Sequence, residues 1–293
     1  MSASDSDFQA VIAQLLIYPV KSCAPVALGQ ALLTDQGLDL DRTWMVVDER
    51  GQFISQREQP RLALVQPTLR QSDLVLRAPG MLSLHLGLET VESPARVEVW
   101  DETVQAWDMG AVAAQWFSDF LGRPARLVRF DPQVERASDR RWTGGQTVLN
   151  TFSDGFPLML VSQPSLEALN LRLQAGGRAP VDMFRFRPNI VLAAQDLQTW
   201  TAHEEDRVTE FEMNTPQGPI RLRPAKPCTR CNMVDIDPAS GQIDAGVLSA
   251  LHGYRRDPRL EGAVTFGVNL MVLEGYDRLL SVGQSVRARR AAS

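Results

Sequence analysis

The sequence predicts a mostly β protein with some helices, of the α+β class, built as a barrel or sandwich. Between residues 44 and 107, short apolar segments recur at close spacing with turn residues between them, the density expected of closed or double-layered antiparallel sheets. Helical periodicity is confined to residues 111–121, 164–174 and a short stretch near 246–254. The chain has 293 residues, 44% hydrophobic and 22% charged, which suits a globular protein of one large or two ordinary domains.

Residues 11–20, Val-Ile-Ala-Gln-Leu-Leu-Ile-Tyr-Pro-Val, form an apolar run broken by Pro19 and read as a buried strand entering a loop. Trp44–Val47 and Gln52–Ser55 flank Asp48-Glu-Arg-Gly51, a hairpin pattern. Leu62–Val65, Leu74–Leu76, Leu82–Leu86, Arg96–Trp100 and Thr103–Trp107 continue as short strands. A helix over 111–121 is stopped by Gly122 and Pro124, and a strand over 125–130 follows. Residues 132–150 are polar and carry Arg and Gly, the pattern of an ordered loop or lid. The strand 157–161 runs into a helix over 164–174, with Ser162 as its N-cap and Pro164 in its first turn. Phe186–Leu192 reads as a strand restrained at its entry by Pro188. Phe211–Met213 and Ile220–Arg223 lead to a cysteine pair, after which Met233–Asp237 alternates as a strand and Pro238–Gly241 as its closing turn. Two strands, 265–273 and 284–287, complete the chain. The helix at 111–121 is the expected seam between a strand-rich domain, 9–122, and a mixed domain, 123–290.

The net charge of −5 argues against a general nucleic-acid binder. Three cysteines, two of them only three positions apart, make no disulfide framework and suit a reducing compartment. The acidic, polar start Met1–Phe8 has no signal-peptide pattern, and no apolar run approaches the roughly 18 residues of a spanning helix. The expectation is a cytoplasmic protein with neither membrane nor nucleic acid as partner.

The chemistry concentrates in Pro224-Ala-Lys-Pro-Cys-Thr-Arg-Cys231. Lys226 and Arg230 flank the thiols, and cations lower a thiol pKa. Zinc needs four ligands, and only Cys23, His85, His203 and His252 remain. A thioredoxin-like pair needs a helix after the second cysteine, where no helix signal stands. A small buried pair of thiols and a single thiolate on a soft metal centre both stay open. In Tyr18-Pro-Val-Lys-Ser-Cys23, a lysine and a hydroxyl could grip a phosphate or carboxylate, or simply form a solvated turn. Arg42 in Asp41-Arg-Thr-Trp44 fits a surface ion pair equally well. In Phe186-Arg-Pro-Asn-Ile190, Arg187 offers bidentate anion recognition and Asn189 the donor and acceptor that a pterin-like edge would require; the same residues could cap a strand. No nucleophilic triad and no glycine-rich dinucleotide fingerprint is present.

Taken in order, Tyr18–Cys23, Asp41–Trp44, Ser55–Leu62, Phe152–Asp154, Ser162–Asn170, Arg187–Val191, Cys228–Cys231 with Asp237–Gly241, and Phe266-Gly267 resemble the MOSC family, nearest its amidoxime-reducing branch and bacterial relatives. The resemblance implies an N-terminal β-barrel domain packed on a MOSC β-barrel domain, with a molybdenum cofactor (Mo-molybdopterin) between them. It assigns the metal bond and the catalytic role to Cys231. It assigns the cofactor to Lys21, Ser22, Arg42, Arg187, Thr229 and Arg230, with Ser153, Asp154 and Asn189 beside them. Thr229 stands where animal members carry serine and keeps the hydroxyl. The implied activity is reduction of N-hydroxylated compounds, a detoxifying chemistry. The plant-type ferredoxin domain of some bacterial relatives has no counterpart before Ser293, which implies electrons from a separate protein, ferredoxin or similar. Reduction of another oxygen-bearing substrate, such as an S-oxide or nitrate, is the rival activity. Because MOSC domains also occur on molybdenum-cofactor sulfurases, a cofactor carrier or sulfur-handling module without reductase activity is the alternative.

Overall fold

The computed structural model describes residues 8–195 and 200–290. The first half contains β1 (Phe8–Ile17), β2 (Val26–Leu28), β3 (Gln30–Thr34), β4 (Gly37–Leu38), β5 (Trp44–Val47), β6 (Gln66–Leu69), β7 (Asp73–Arg77), β8 (Leu84–Gly87), β9 (Ser93–Val99), β10 (Glu102–Asp108), α1 (Ala111–Leu121) and β11 (Arg126–Phe130). The second contains α2 (Arg140–Thr143), β12 (Leu158–Ser162), α3 (Gln163–Ala175), β13 (Ile190–Ala194), β14 (Val208–Thr215), β15 (Gly218–Thr229), α4 (Val247–His252), β16 (Arg256–Asp257), β17 (Ala263–Glu274), β18 (Arg278–Ser281) and β19 (Ser285–Arg290).

Seven strands close a barrel in the order β12, β13, β1, β19, β14, β15, β17 and back to β12. Every neighbouring pair is antiparallel except β12–β13, and α3 supplies the crossover that a parallel pair needs. Alternation along β1 turns Phe8, Ala10 and Ile12 into the barrel, where they meet Leu160, Phe211, Leu222 and Leu270 in one buried cluster.

Outside the barrel, β5, β11, β10 and β9 form one sheet, and β6, β7 and β8 another. The predicted helix α1 buries Ala113, Trp116, Phe117, Phe120 and Leu121, the spacing of a single helical face, against residues such as Leu74, Leu76 and Leu127 of these sheets. Gly122, at φ +68°, ends it. The sequence boundary expected at 122/123 crosses shared sheets: β1 is a stave among strands of the second half, while β11 pairs with β5 and β10 of the first. No described helix is long and apolar enough to cross a membrane.

Four local expectations are overturned. Leu62–Val65 is not a strand but part of a 3₁₀ turn, Pro60–Leu64; Pro60 begins it, and Leu62 and Ala63 are buried side by side rather than alternately. Met233–Asp237 begins as a second 3₁₀ turn, Asn232–Asp235, because Val234, Asp235 and Ile236 are all buried and the Asp235 carboxylate must reach Gly246 N (3.1 Å) and Leu248 N (3.0 Å) at the start of α4. Ser162 precedes α3 as expected but does not cap it with its side chain; its Oγ donates to the buried Glu205 carboxylate at 2.8 Å. The start of the Phe186–Leu192 segment is likewise a 3₁₀ turn, Met183–Phe186, and extended pairing begins only at Ile190.

Barrel closure depends on a close approach at Gly267. Its φ is +73°, and an added Cβ would lie 2.5 Å from Leu160 O and 2.6 Å from Met159 Cε and Val161 Cγ2. Gly267→Ala is therefore expected to cost about 2–4 kcal/mol from left-handed strain and overpacking together, read as a lower midpoint of chemical unfolding. Gly177→Ala shares the positive φ but faces open space, so it should lose only about 1–2 kcal/mol; equal losses at the two sites would show that the close approach does not matter.

Candidate functional site

A cleft of about 430 Å³ opens where several strand ends and loops converge. All ten residues expected at a site border it: Lys21, Ser22, Arg42, Ser153, Asp154, Arg187, Asn189, Thr229, Arg230 and Cys231. They arrive from the loop after β1, the segment before β5, the loop before β12, the turn before β13, and the end of β15. That last strand holds Pro219, Pro224 and Pro227 and shifts register against β17 at three places, the irregularity that lets prolines sit within a sheet. It ends at Thr229, leaving Cys231 exposed just beyond.

The lining is strongly cationic. Lys21, Arg42, Arg57, Arg185, Arg187, Lys226 and Arg230 face it with Asp154 as the sole carboxylate among the described lining residues. Lys21 is 7% exposed and donates to Phe152 O at 2.7 Å and Asp154 Oδ1 at 2.5 Å. Burial pulls its ammonium below the ordinary lysine range, opposed by Asp154. For Asp154, the Lys21 charge and hydrogen bond, with a bond from Trp100, outweigh desolvation and hold the carboxyl below the usual range. Arg42 and Arg187 both rest on the buried Tyr18 ring, at 4.4 and 4.1 Å from its centroid. Arg42 also pairs with Asp41 at 2.5 Å and donates to Arg187 O at 3.0 Å. Burial lowers Arg187 to about 10, which leaves it cationic at neutral pH. Ser22, Arg42 and Arg187 all adopt positive φ, an uncommon backbone for such residues and one that clusters at ligand sites.

Some expected roles change. The Asn189 side chain is 1% exposed and committed to main chain, accepting from Met159 N at 3.1 Å and donating to Leu16 O at 3.1 Å. Ser153 Oγ donates to Asn150. The expected influence of Lys226 and Arg230 on the thiols has no direct contact behind it. Lys226 lies over the Trp142 and Phe156 rings at 5.7 and 5.8 Å, and Arg230 donates to Phe186 O and Phe266 O. Among the described residues neither hydrogen-bonds a thiol. The two cysteines differ: Cys228 is half-buried and packs against the core cluster that includes Phe186, whereas Cys231 is exposed. Cys23 is buried and pushed up to about 12, an inert thiol. No cluster of three or more metal-ligating side chains occurs among the described residues, so zinc lacks a ligand set.

Sequence reasoning missed Arg57, Trp100 and Arg185 in the lining, and Arg136 behind it. Arg136 donates from one nitrogen to Asn150 Oδ1, Thr151 O and Ser153 O, pinning the loop that presents Asp154. Its only sequence signal is an arginine in a polar loop, indistinguishable from its exposed neighbours.

Two family models match: the MOSC N-terminal beta barrel domain over residues 9–124 and the MOSC domain over 148–287. Mitochondrial amidoxime reducing component 2 of Rattus norvegicus is 34% identical over 256 residues, covering 83% of this chain and 72% of its own. The molybdenum cofactor sulfurase of Homo sapiens is 30% identical over 278 residues, 89% of this chain but 30% of its own. Among solved structures, the YUAD protein of Bacillus subtilis aligns over 98% of this chain and 99% of its own, at 11% identity and a TM-score of 0.41. The chain belongs to the MOSC-domain proteins, an N-terminal β-barrel domain followed by a MOSC domain, and is a homologue of the mitochondrial amidoxime-reducing components.

Proposed function

We propose that this protein is a molybdenum-cofactor oxidoreductase that reduces N-hydroxylated compounds with electrons from a separate donor protein, ferredoxin or similar. One observation carries the reading: in a chain of net charge −5, seven cationic side chains and one carboxylate line a cleft beside an exposed thiol. That donor set suits an anionic cofactor. Molybdopterin carries a phosphate, for which Lys21, Arg42 and Arg187 supply point charge and planar donors. Lys21 has a third donor beyond the two already engaged. The Ser22 and Thr229 hydroxyls add neutral donors, and Cys231 offers the soft thiolate that a metal bound by sulfur favours. When bound, the cofactor supplies two-electron redox chemistry at the metal.

The reaction consumes two electrons and two protons: the N–O bond breaks, the hydroxyl takes one proton and leaves as water, and nitrogen takes up the other. Around it, the chain positions the cofactor and the substrate. Asp154 is the lining carboxylate within reach of the cleft, and its bond to Lys21 fixes where that carboxylate stands. The human sulfurase relative supports a second reading, a cofactor carrier or sulfur-handling module, which the same cradle would serve.

The readings separate in protein made by a host competent for the cofactor. Molybdenum should be present near one per chain by elemental analysis, lost in Cys231→Ser and retained in Cys228→Ser, with reduction of benzamidoxime by a chemical donor following the metal. Molybdenum fully retained in Cys231→Ser would sink the metal assignment. Metal present without turnover of amidoximes, hydroxylamines or hydroxylated purines favours the carrier. Arg187→Met removes one charged donor set, worth about 1.5–3 kcal/mol, so cofactor retention after dialysis should fall on the order of ten- to a hundredfold in apparent affinity. Unchanged retention would remove Arg187 from the cradle.

A further inference from the structure

The hairpin of β9 and β10 turns through Trp100 and Asp101, with Val99 paired to Glu102 across it. Trp100 has φ +57°. A two-residue hairpin turn with positive φ at its first position usually has glycine there, because a side chain meets the neighbouring peptide. A bulky aromatic persists in that conformation only where its surroundings hold it. Three contacts do so. Its Nε1 donates to Asp154 Oδ1 at 3.1 Å, the Arg57 guanidinium lies 4.5 Å from its ring centroid, and Phe53 meets it edge-on at 5.0 Å. Yet Trp100 remains 43% exposed and lines the cleft. A tryptophan held for stability would be covered; this one is propped open.

We propose that Trp100, its plane fixed by Arg57 and Phe53, is a stacking platform on which the cleft receives flat, conjugated N-hydroxylated substrates, aryl amidoximes and hydroxylated heteroaromatic bases, in preference to small aliphatic ones. The assignment rests on the reductase reading and names the substrate class of that site. Indole offers a broad π surface, and stacking on it tolerates many ring chemistries. The Arg57 guanidinium stands 4.5 Å from the ring centroid, and an aryl or heteroaryl ring laid on the exposed part of the indole gains a π contact that a small alkyl group lacks. The carboxylate beside it is half free. Both Lys21 and Trp100 donate to Oδ1 of Asp154, and Oδ2 accepts no hydrogen bond from the described residues. An N–H or O–H of a molecule lying on Trp100 has that oxygen to meet.

The test is calorimetric titration of the protein, purified from a host that makes the cofactor, with benzamidoxime and with acetamidoxime. Trp100→Leu and Trp100→Phe are compared with the wild type. Aromatic stacking energies correspond to roughly two- to thirteenfold in affinity. Trp100→Leu should bind benzamidoxime about three- to tenfold more weakly while acetamidoxime changes by less than about twofold. Unchanged molybdenum content shows that the cradle survives the substitution. Trp100→Phe, which keeps a smaller π face, should fall between wild type and Trp100→Leu, and it decides the question if the leucine variant loses its metal. Equal weakening for both compounds, or none for benzamidoxime, overturns the platform. Because binding is read without turnover, a protein that binds benzamidoxime through Trp100 but reduces neither compound supports the platform and defeats the reductase reading alone.

Discussion

One asparagine does the work of two strand residues at the rim of this barrel. Asn189 donates its main-chain N–H to Met159 O and accepts from Leu16 N at its carbonyl, both at 2.8 Å. Its side-chain amide repeats the exchange in reverse, accepting from Met159 N and donating to Leu16 O. Pro188, immediately before it, has no N–H to offer a ladder, so regular pairing cannot continue there. The amide substitutes for the missing backbone and ties β1 to β12 through the start of β13. Leaving Met159 N and Leu16 O unpaired would cost on the order of 1–3 kcal/mol for each buried group. The position of Lys21 and Ser22 follows, since they stand a few residues beyond Leu16.

That fixed rim makes a concentration of like charge tolerable. The arginines of the cleft are held less by carboxylates than by carbonyls and ring faces: Arg187 by Cys23 O and Tyr18, Arg230 by Phe186 O and Phe266 O. Carbonyls and π faces stabilise a cation without neutralising it, so the positive field stays available to an anionic ligand. Like charges packed together also repel, and any anion bound here would relieve that repulsion. Ligand occupancy and folding stability are thereby linked through the same residues.

Much of the architecture is legible in the sequence wherever the signal is local. The face and the glycine stop of α1 can be read directly, as can the strand-rich stretch before it. Pairing of Phe8 with Ala288 leaves no local trace, so the membership of β1 in a barrel of later strands cannot be read. Short apolar runs mislead when burial is consecutive rather than alternating, which is why 62–65 and 233–237 look like strands and are not. At the site, residue type is legible and orientation is not. Arg187 and Asn189 flank one proline, yet only the fold shows that the guanidinium lies along the cleft while the amide is consumed by the barrel. Trp100 escapes notice because an aromatic at a strand end looks like the strand's last apolar residue.

The closure of β1 onto β19 has a consequence for biosynthesis. During translation, β1 leaves the ribosome long before its barrel neighbour: at roughly 5–20 residues per second, the intervening chain takes on the order of ten seconds to a minute to make. Until then one edge of β1 lacks its strand partner, with apolar residues such as Ile12 awaiting their core. The rim beyond β1, where Lys21, Arg187 and Cys231 line one cleft, stays incomplete until the end of β15 has been made. Any prosthetic group that needs all three has no complete cradle until the last of them has been made.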